Sequence, residues 1–139
     1  MDFLLAERLE NTMHFQRLWQ LLGIVYIATI LIVSLVRIPD INQSFSYTDK
    51  VIHFVSYFIL VGWFVQLYYK FASRLRILLA AILFGMVIEF LQEMTAYRSF
   101  DYVDQIANSL GAFCAFLLAK TDFDTLLGRF DLWLYRLKQ

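Results

Sequence analysis

Residues 18–36 run for nineteen positions without an Asp, Glu, Lys or Arg. At ~1.5 Å per helical residue the run reaches roughly 28 Å, close to the roughly 30 Å hydrocarbon core of a bilayer. Inside such a core every backbone N–H and C=O must find its partner within the protein, so an isolated apolar segment of this length has to be a helix. A second uncharged run covers 51–69, interrupted only by His53 and Gln66. A third covers 77–97 and carries Glu89, Gln92 and Glu93; a fourth covers 102–119, with Asp104 and Asn108 near its start. None alternates polar with apolar over about ten residues, as barrel strands do. Glu7 and Glu10 precede the first run, which is too long for a cleavable signal and has no small-x-small site after it.

Composition agrees. Hydrophobic residues make up 60% and charged residues 17%, and mean hydropathy is +0.61. Soluble domains hold about 25% charged residues, so a soluble monomer of this size would expose large apolar patches. Twelve basic residues balance twelve acidic ones, which excludes the basic surplus of a nucleic-acid binder. The single Cys114 permits no internal disulfide and reads as a packing residue. The expected fold is an all-α polytopic membrane bundle of four transmembrane helices with a C-terminal amphipathic interfacial helix. Its divisions are an amphipathic N-terminus over 1–17, a membrane domain over 18–120 and a tail over 121–139. Pro39 and Asp40 mark the end of the first helix.

Nine Lys and Arg (Arg8, Arg17, Lys70, Arg74, Arg76, Lys120, Arg129, Arg136, Lys138) fall on one side of this topology and three (Arg37, Lys50, Arg98) on the other. The positive-inside rule then puts both termini in the cytoplasm. In the tail, Phe123, Leu126, Leu127, Phe130, Trp133, Leu134 and Leu137 follow helical spacing, while Asp124, Arg129, Asp131, Arg136 and Lys138 take other positions. Residues 122–138 are read as an amphipathic helix, either on the cytoplasmic leaflet or packed against the bundle. Residues 3–15 form a weaker segment of the same kind.

Polar groups within a membrane segment are expensive and by default mark function. Asp49, His53 and Tyr57 are four apart and share a helix face, with Lys50 beside them; Glu89, Gln92 and Glu93 cluster on the third helix. Asp104, Asn108, Gly111 and Ala115 form a polar and small-residue stripe on the fourth. The topology brings all three groups to one membrane half, with Gly85, Gly111 and Ala115 allowing close approach. Plainer readings stand beside this one. Asp49 and Asp104 are candidate N-caps, Lys50 and Arg98 can snorkel, and Tyr57, Tyr97 and Tyr102 can sit at the interface. Glu89 lies deepest, so it is either protonated or paired with His53, Lys50 or Arg98.

The residues also match a known pattern. Asp49-Lys50-x-x-His53 followed by Tyr57, then Glu89-x-x-Gln92, Arg98 in a short loop, and Asp104-x-x-x-Asn108-x-x-Gly111, resembles the VanZ-like family of small membrane proteins over roughly 25–120. The resemblance implies a multi-pass protein of the bacterial cytoplasmic membrane; the namesake is an accessory to teicoplanin resistance, a phenotype that fold membership alone does not transfer.

The functional expectation is a polar site on the extracytoplasmic side that binds or modifies a lipid headgroup or a lipid-linked envelope precursor. His53, Glu89 and Asp104 are its candidate proton-exchanging groups. Asp49, Lys50, Tyr57, Gln92, Arg98 and Asn108 are candidate binding groups, with Lys50 and Arg98 as a phosphate clamp. No cofactor is called for. Asp49, His53 and Asp104 are a weaker candidate for a divalent ion. The alternatives are a non-enzymatic scaffold whose polar cluster stabilises the bundle, and a proton-coupled transporter. A protein partner at the tail and a homo-oligomer stay open.

Overall fold

The computed structural model describes residues 13–36, 46–95 and 100–139. Among them all regular structure is helical: α1 (Gln16–Leu35), α2 (Ser46–Val65), α3 (Phe71–Glu93), α4 (Tyr102–Leu118), a 3-10 turn (Asp122–Thr125) and α5 (Leu126–Arg136). The first three are long and apolar enough to cross a bilayer; α4, at 17 residues, is the shorter apolar helix. The expected all-helical membrane bundle holds. Pro39, Asp40 and nearly all of the 3–15 segment lie outside the described residues.

Helix ends move from their expected places for identifiable reasons. α2 starts at Ser46, which puts Asp49 in its first turn, where a negative charge meets the positive end of the helix dipole, rather than at the cap. It stops at Val65, where the Gln66 side chain turns back to the Gly62 carbonyl at 2.9 Å. α3 starts at Phe71, so Arg74 lies within the helix and not in a loop. It is buried: Nε donates to the Tyr68 carbonyl at 2.9 Å, Nη1 to Ala119 at 2.7 Å and Nη2 to Asp124 at 2.8 Å.

α2 and α4 form the tightest pair. A Cβ at Gly111 would lie 2.1 Å from the Phe54 carbonyl oxygen, so only a glycine permits this approach. Ala112 and Ala115 continue the small face, fully buried against Val61 and its neighbours. α1 packs through a narrow stripe of Trp19, Gly23 and Ile30 and leaves Leu21, Ile24, Val25 and Ile32 exposed, as a lipid-facing helix does.

Of the two places expected for the tail, it takes the one against the bundle, with Asp124 and Asp131 buried there. Its helix spans only Leu126–Arg136, and it is docked on the bundle. Asp131, 1% exposed, accepts from the backbone N–H groups of His14 at 2.7 Å and Phe15 at 3.0 Å and from Trp19 Nε1 at 2.7 Å. α1 has no local side-chain cap, and this distant carboxylate meets its N-terminal donors instead. Asp124 is likewise fully buried on Arg74, and Leu127 N–H donates to Gln66 Oε1 at 3.0 Å. Phe123, Leu127 and Leu134 pack inward, while Leu126, Phe130, Trp133 and Leu137 form an exposed stripe. The helix therefore packs on the bundle with one face and keeps a second apolar face free for an interface.

Candidate functional site

The C-terminal ends of α1 and α3 and the N-terminal ends of α2 and α4 share one end of the bundle. Lys50, half-buried in the first turns of α2, is its centre. Its ammonium donates to the carboxylates of Asp101 and Asp104, and Asp49 Oδ2 lies 3.9 Å away. The ammonium is thus surrounded by acids from two helices, and the expected free cation for a phosphate is already neutralised. The other half of that clamp, Arg98, lies outside the described residues, as does Tyr97.

His53 stands one turn further in. Its Nδ1 is 3.0 Å from Asn108 Oδ1. With the amide oxygen on this side, which only accepts, Nδ1 is the ring nitrogen that carries the proton and donates. Nε2 then faces two carboxylates, Asp104 Oδ2 at 3.6 Å and Asp49 Oδ1 at 3.9 Å. Both exceed direct hydrogen-bond range and suit a bridging group. The ligand atoms of Asp49, His53 and Asp104 lie within 4.8 Å of one another, close enough to surround a divalent ion. The Lys50 ammonium bonded to Asp104 competes for that charge.

Glu89 is 1% exposed and faces the bundle, not lipid. Its Oε2 accepts from the Asp101 backbone N–H at 3.2 Å, while Oε1 has no partner among the described residues. Its direct contact is therefore Asp101 rather than His53 or Lys50. Tyr57 is buried, which removes it from the interfacial belt, while Tyr102 is 75% exposed and suits that place. Gln92 is buried too and donates to the Ser34 carbonyl of α1 at 2.8 Å, tying two helix ends together. Glu93 is exposed.

Two participants were not among the expected site residues. Asp101 caps α4, accepting from Val103 N–H at 2.8 Å, a role expected of Asp104. It also receives Lys50 and offers its own N–H to Glu89. The Lys50 ammonium, helped by the Val103 N–H, holds its carboxyl below the usual carboxylate range. The signal was present: an Asp directly before an apolar helical run, with a second acid three residues on. Gln105 is the other; it reaches back to α3, donating to the Ile82 carbonyl at 3.3 Å.

Beside His53 lies a cleft of about 270 Å³ between α1 and α2. Tyr26, Thr29, Ile30, Val33 and Ser34 line one wall, and Asp49, Ile52, His53, Ser56 and Tyr57 the other. Val33 and Ile52 are more than half exposed at its rim, so the cleft opens sideways, where acyl chains would run.

A model of the VanZ/LLP1 family matches residues 5–127, from before α1 into α5. The chain belongs to the VanZ/LLP1 family. As a VanZ/LLP1 protein it is a multi-pass membrane protein, and the match covers every helix that builds the site. An uncharacterized protein of Schizosaccharomyces pombe is 40% identical over 73 residues, covering 50% of this chain and 45% of that relative. The chain thus matches less than half the length of this curated relative. Because the relative is fungal, likeness to the VanZ/LLP1 family alone does not assign a bacterial envelope. No solved structure matches the chain.

Proposed function

We propose that this VanZ/LLP1 protein binds the headgroup of a membrane lipid through Asp49, His53 and Asp104, with the lipid's chain lying in the α1/α2 cleft. The observation that carries the reading is the union of two surfaces: Asp49 and His53 stand in the same cleft wall as the exposed, apolar Ile52, opposite Val33. Such a wall suits a molecule with one polar and one apolar end, as ligand clefts with a few convergent polar groups do.

The charge balance narrows the headgroup. Asp49, Asp101 and Asp104 outnumber Lys50, and His53 lines the cleft with Nε2 near Asp49 and Asp104. Surplus acceptors favour a headgroup that brings hydroxyl or amine protons over a bare phosphate. A lipid-linked glycan falls within that class. His53 Nε2 is then the group able to take a proton from the bound hydroxyl, with Asp49 and Asp104 stabilising the imidazolium that forms. The nine-to-three split of basic residues supports an extracytoplasmic position for this end of the bundle.

The test is photocrosslinking in vesicles with lipids that share a photoreactive acyl chain but carry either a hydroxyl-rich glycosyl or a choline headgroup. The expected result is preferential labelling of the cleft by the glycosyl lipid, with the preference lost in His53→Ala and Asp49→Asn. Equal labelling by both lipids, unchanged in the two variants, would instead make the cluster a tie that stabilises the bundle.

A further inference from the structure

Behind His53, four buried polar atoms from three helices have no hydrogen-bond partner among the described residues: Tyr57 Oη, Glu89 Oε1, Gln105 Oε1 and Asn108 Nδ2. Tyr57, Glu89 and Asn108 are each no more than 2% exposed, so bulk water does not reach them. Three of the atoms gather over one point on α3. A Cβ built on Gly85 would lie 2.9 Å from Gln105 Oε1, 3.2 Å from Tyr57 Oη and 3.3 Å from Asn108 Nδ2. Glu89 is one turn further along the same buried face of α3.

The set has a particular chemistry. Glu89 Oε1 and Gln105 Oε1 accept; Asn108 Nδ2 and the Tyr57 hydroxyl donate. Two acceptors and two donors match the capacity of a single water molecule, which donates twice and accepts twice. Buried waters sit where two to four otherwise unsatisfied polar groups converge, and buried native polar groups are seldom left unpaired. We propose that Tyr57, Glu89, Gln105 and Asn108 bind one buried water molecule beside Gly85, and that this water fixes the Asn108 amide and through it the His53 tautomer.

The coupling follows from the two ends of one amide. With Nδ2 committed to the water, Oδ1 is committed to His53 Nδ1, the observed contact of 3.0 Å. Were the amide to turn over, its NH2 would face His53 Nδ1, the ring proton would move to Nε2, and the imidazole would present a donor to the cleft instead of an acceptor. Tyr57 and Gln105 are thus positioning residues for His53. A methyl group at Gly85 would crowd the side-chain ends that share this space, Gln105 Oε1 most closely. The inference does not depend on what the cleft binds.

The experiment uses the full chain in lipid vesicles with ¹⁵N-labelled histidine and side-chain-labelled asparagine. There are two histidines, and His14→Gln assigns the signals. In the unaltered protein the expected results are an Nδ1–H tautomer at His53 and magnetisation transfer from water to the Asn108 amide protons. Tyr57→Phe keeps the packing and removes one partner, so it should weaken the transfer and give a mixed tautomer. Gly85→Ala should abolish the transfer. If Gly85→Ala does not fold, Tyr57→Phe and Gln105→Leu carry the test. An Asn108 amide that receives nothing from water in the folded unaltered protein overturns the bound water. A His53 tautomer unchanged in Tyr57→Phe and Gln105→Leu overturns the coupling.

Discussion

Gly111→Ala is the substitution with the most calculable consequence. The new methyl carbon would lie 2.1 Å from the Phe54 carbonyl oxygen, 2.9 Å from its carbon and 3.1 Å from the Phe58 nitrogen, all backbone atoms of α2. Ordinary van der Waals contact begins near 3.4 Å, so α2 and α4 must part by about 1.3 Å at this level. A rigid separation of that size would stretch the 3.0 Å His53–Asn108 contact, one turn away, beyond hydrogen-bond range. Overpacking typically costs about 1–3 kcal/mol, and the lost hydrogen bond adds about 1 kcal/mol. A loss of roughly 3 kcal/mol is expected. Gly62→Ala supplies the control: its nearest neighbour, at 3.3 Å, is the far end of the Phe123 ring, which can move. Alanine gains up to about 1 kcal/mol over glycine in a helix interior, so this variant should be neutral or slightly stabilised. Cys114, the partly buried free thiol on α4, gives the assay: its faster reaction with a thiol dye during heating in detergent reports loss of the packed bundle. If Gly111→Ala melts within about 0.5 kcal/mol of the unaltered protein, or Gly62→Ala proves the worse of the two, the close-approach argument is wrong.

Truncation after Lys120 should leave the spans inserted but lower the melting temperature. It strips Asp124 from the buried Arg74 and Asp131 from the start of α1, and an uncompensated buried charge costs about 3–5 kcal/mol. A truncated protein that melts with the full chain would show that the docked tail carries no stability. Acid should loosen the polar end. Asp101 is held below the unfolded carboxylate value of about 3.9, so its contribution is complete above that pH and disappears as pH falls through the depressed value. Asp101→Asn should flatten the acid limb of melting temperature against pH; an unchanged acid limb in that variant would remove Lys50–Asp101 from the account.

Much of this molecule is legible from hydrophobic length and spacing. Uncharged runs of about nineteen residues can only be helices in lipid, and the four-residue steps Asp49–His53–Tyr57 and Asp104–Asn108 set each polar stripe on one helix face before any packing is known. With antiparallel connection, those stripes had to reach one end. Which atoms then meet depends on interhelical distance and rotation, quantities that no local pattern encodes. Glu89 turns to the Asp101 N–H, and not to His53, because the Phe54–Gly111 approach sets how α4 sits against its neighbours. The tail makes the same point at the other end. Periodicity assigns Asp124 and Asp131 to the polar side of an amphipathic helix, and nothing nearby in the chain requires their burial. Only the fold brings up Arg74 from α3 and the unsatisfied N–H groups at the start of α1, and a buried carboxylate is tolerable only where such partners wait.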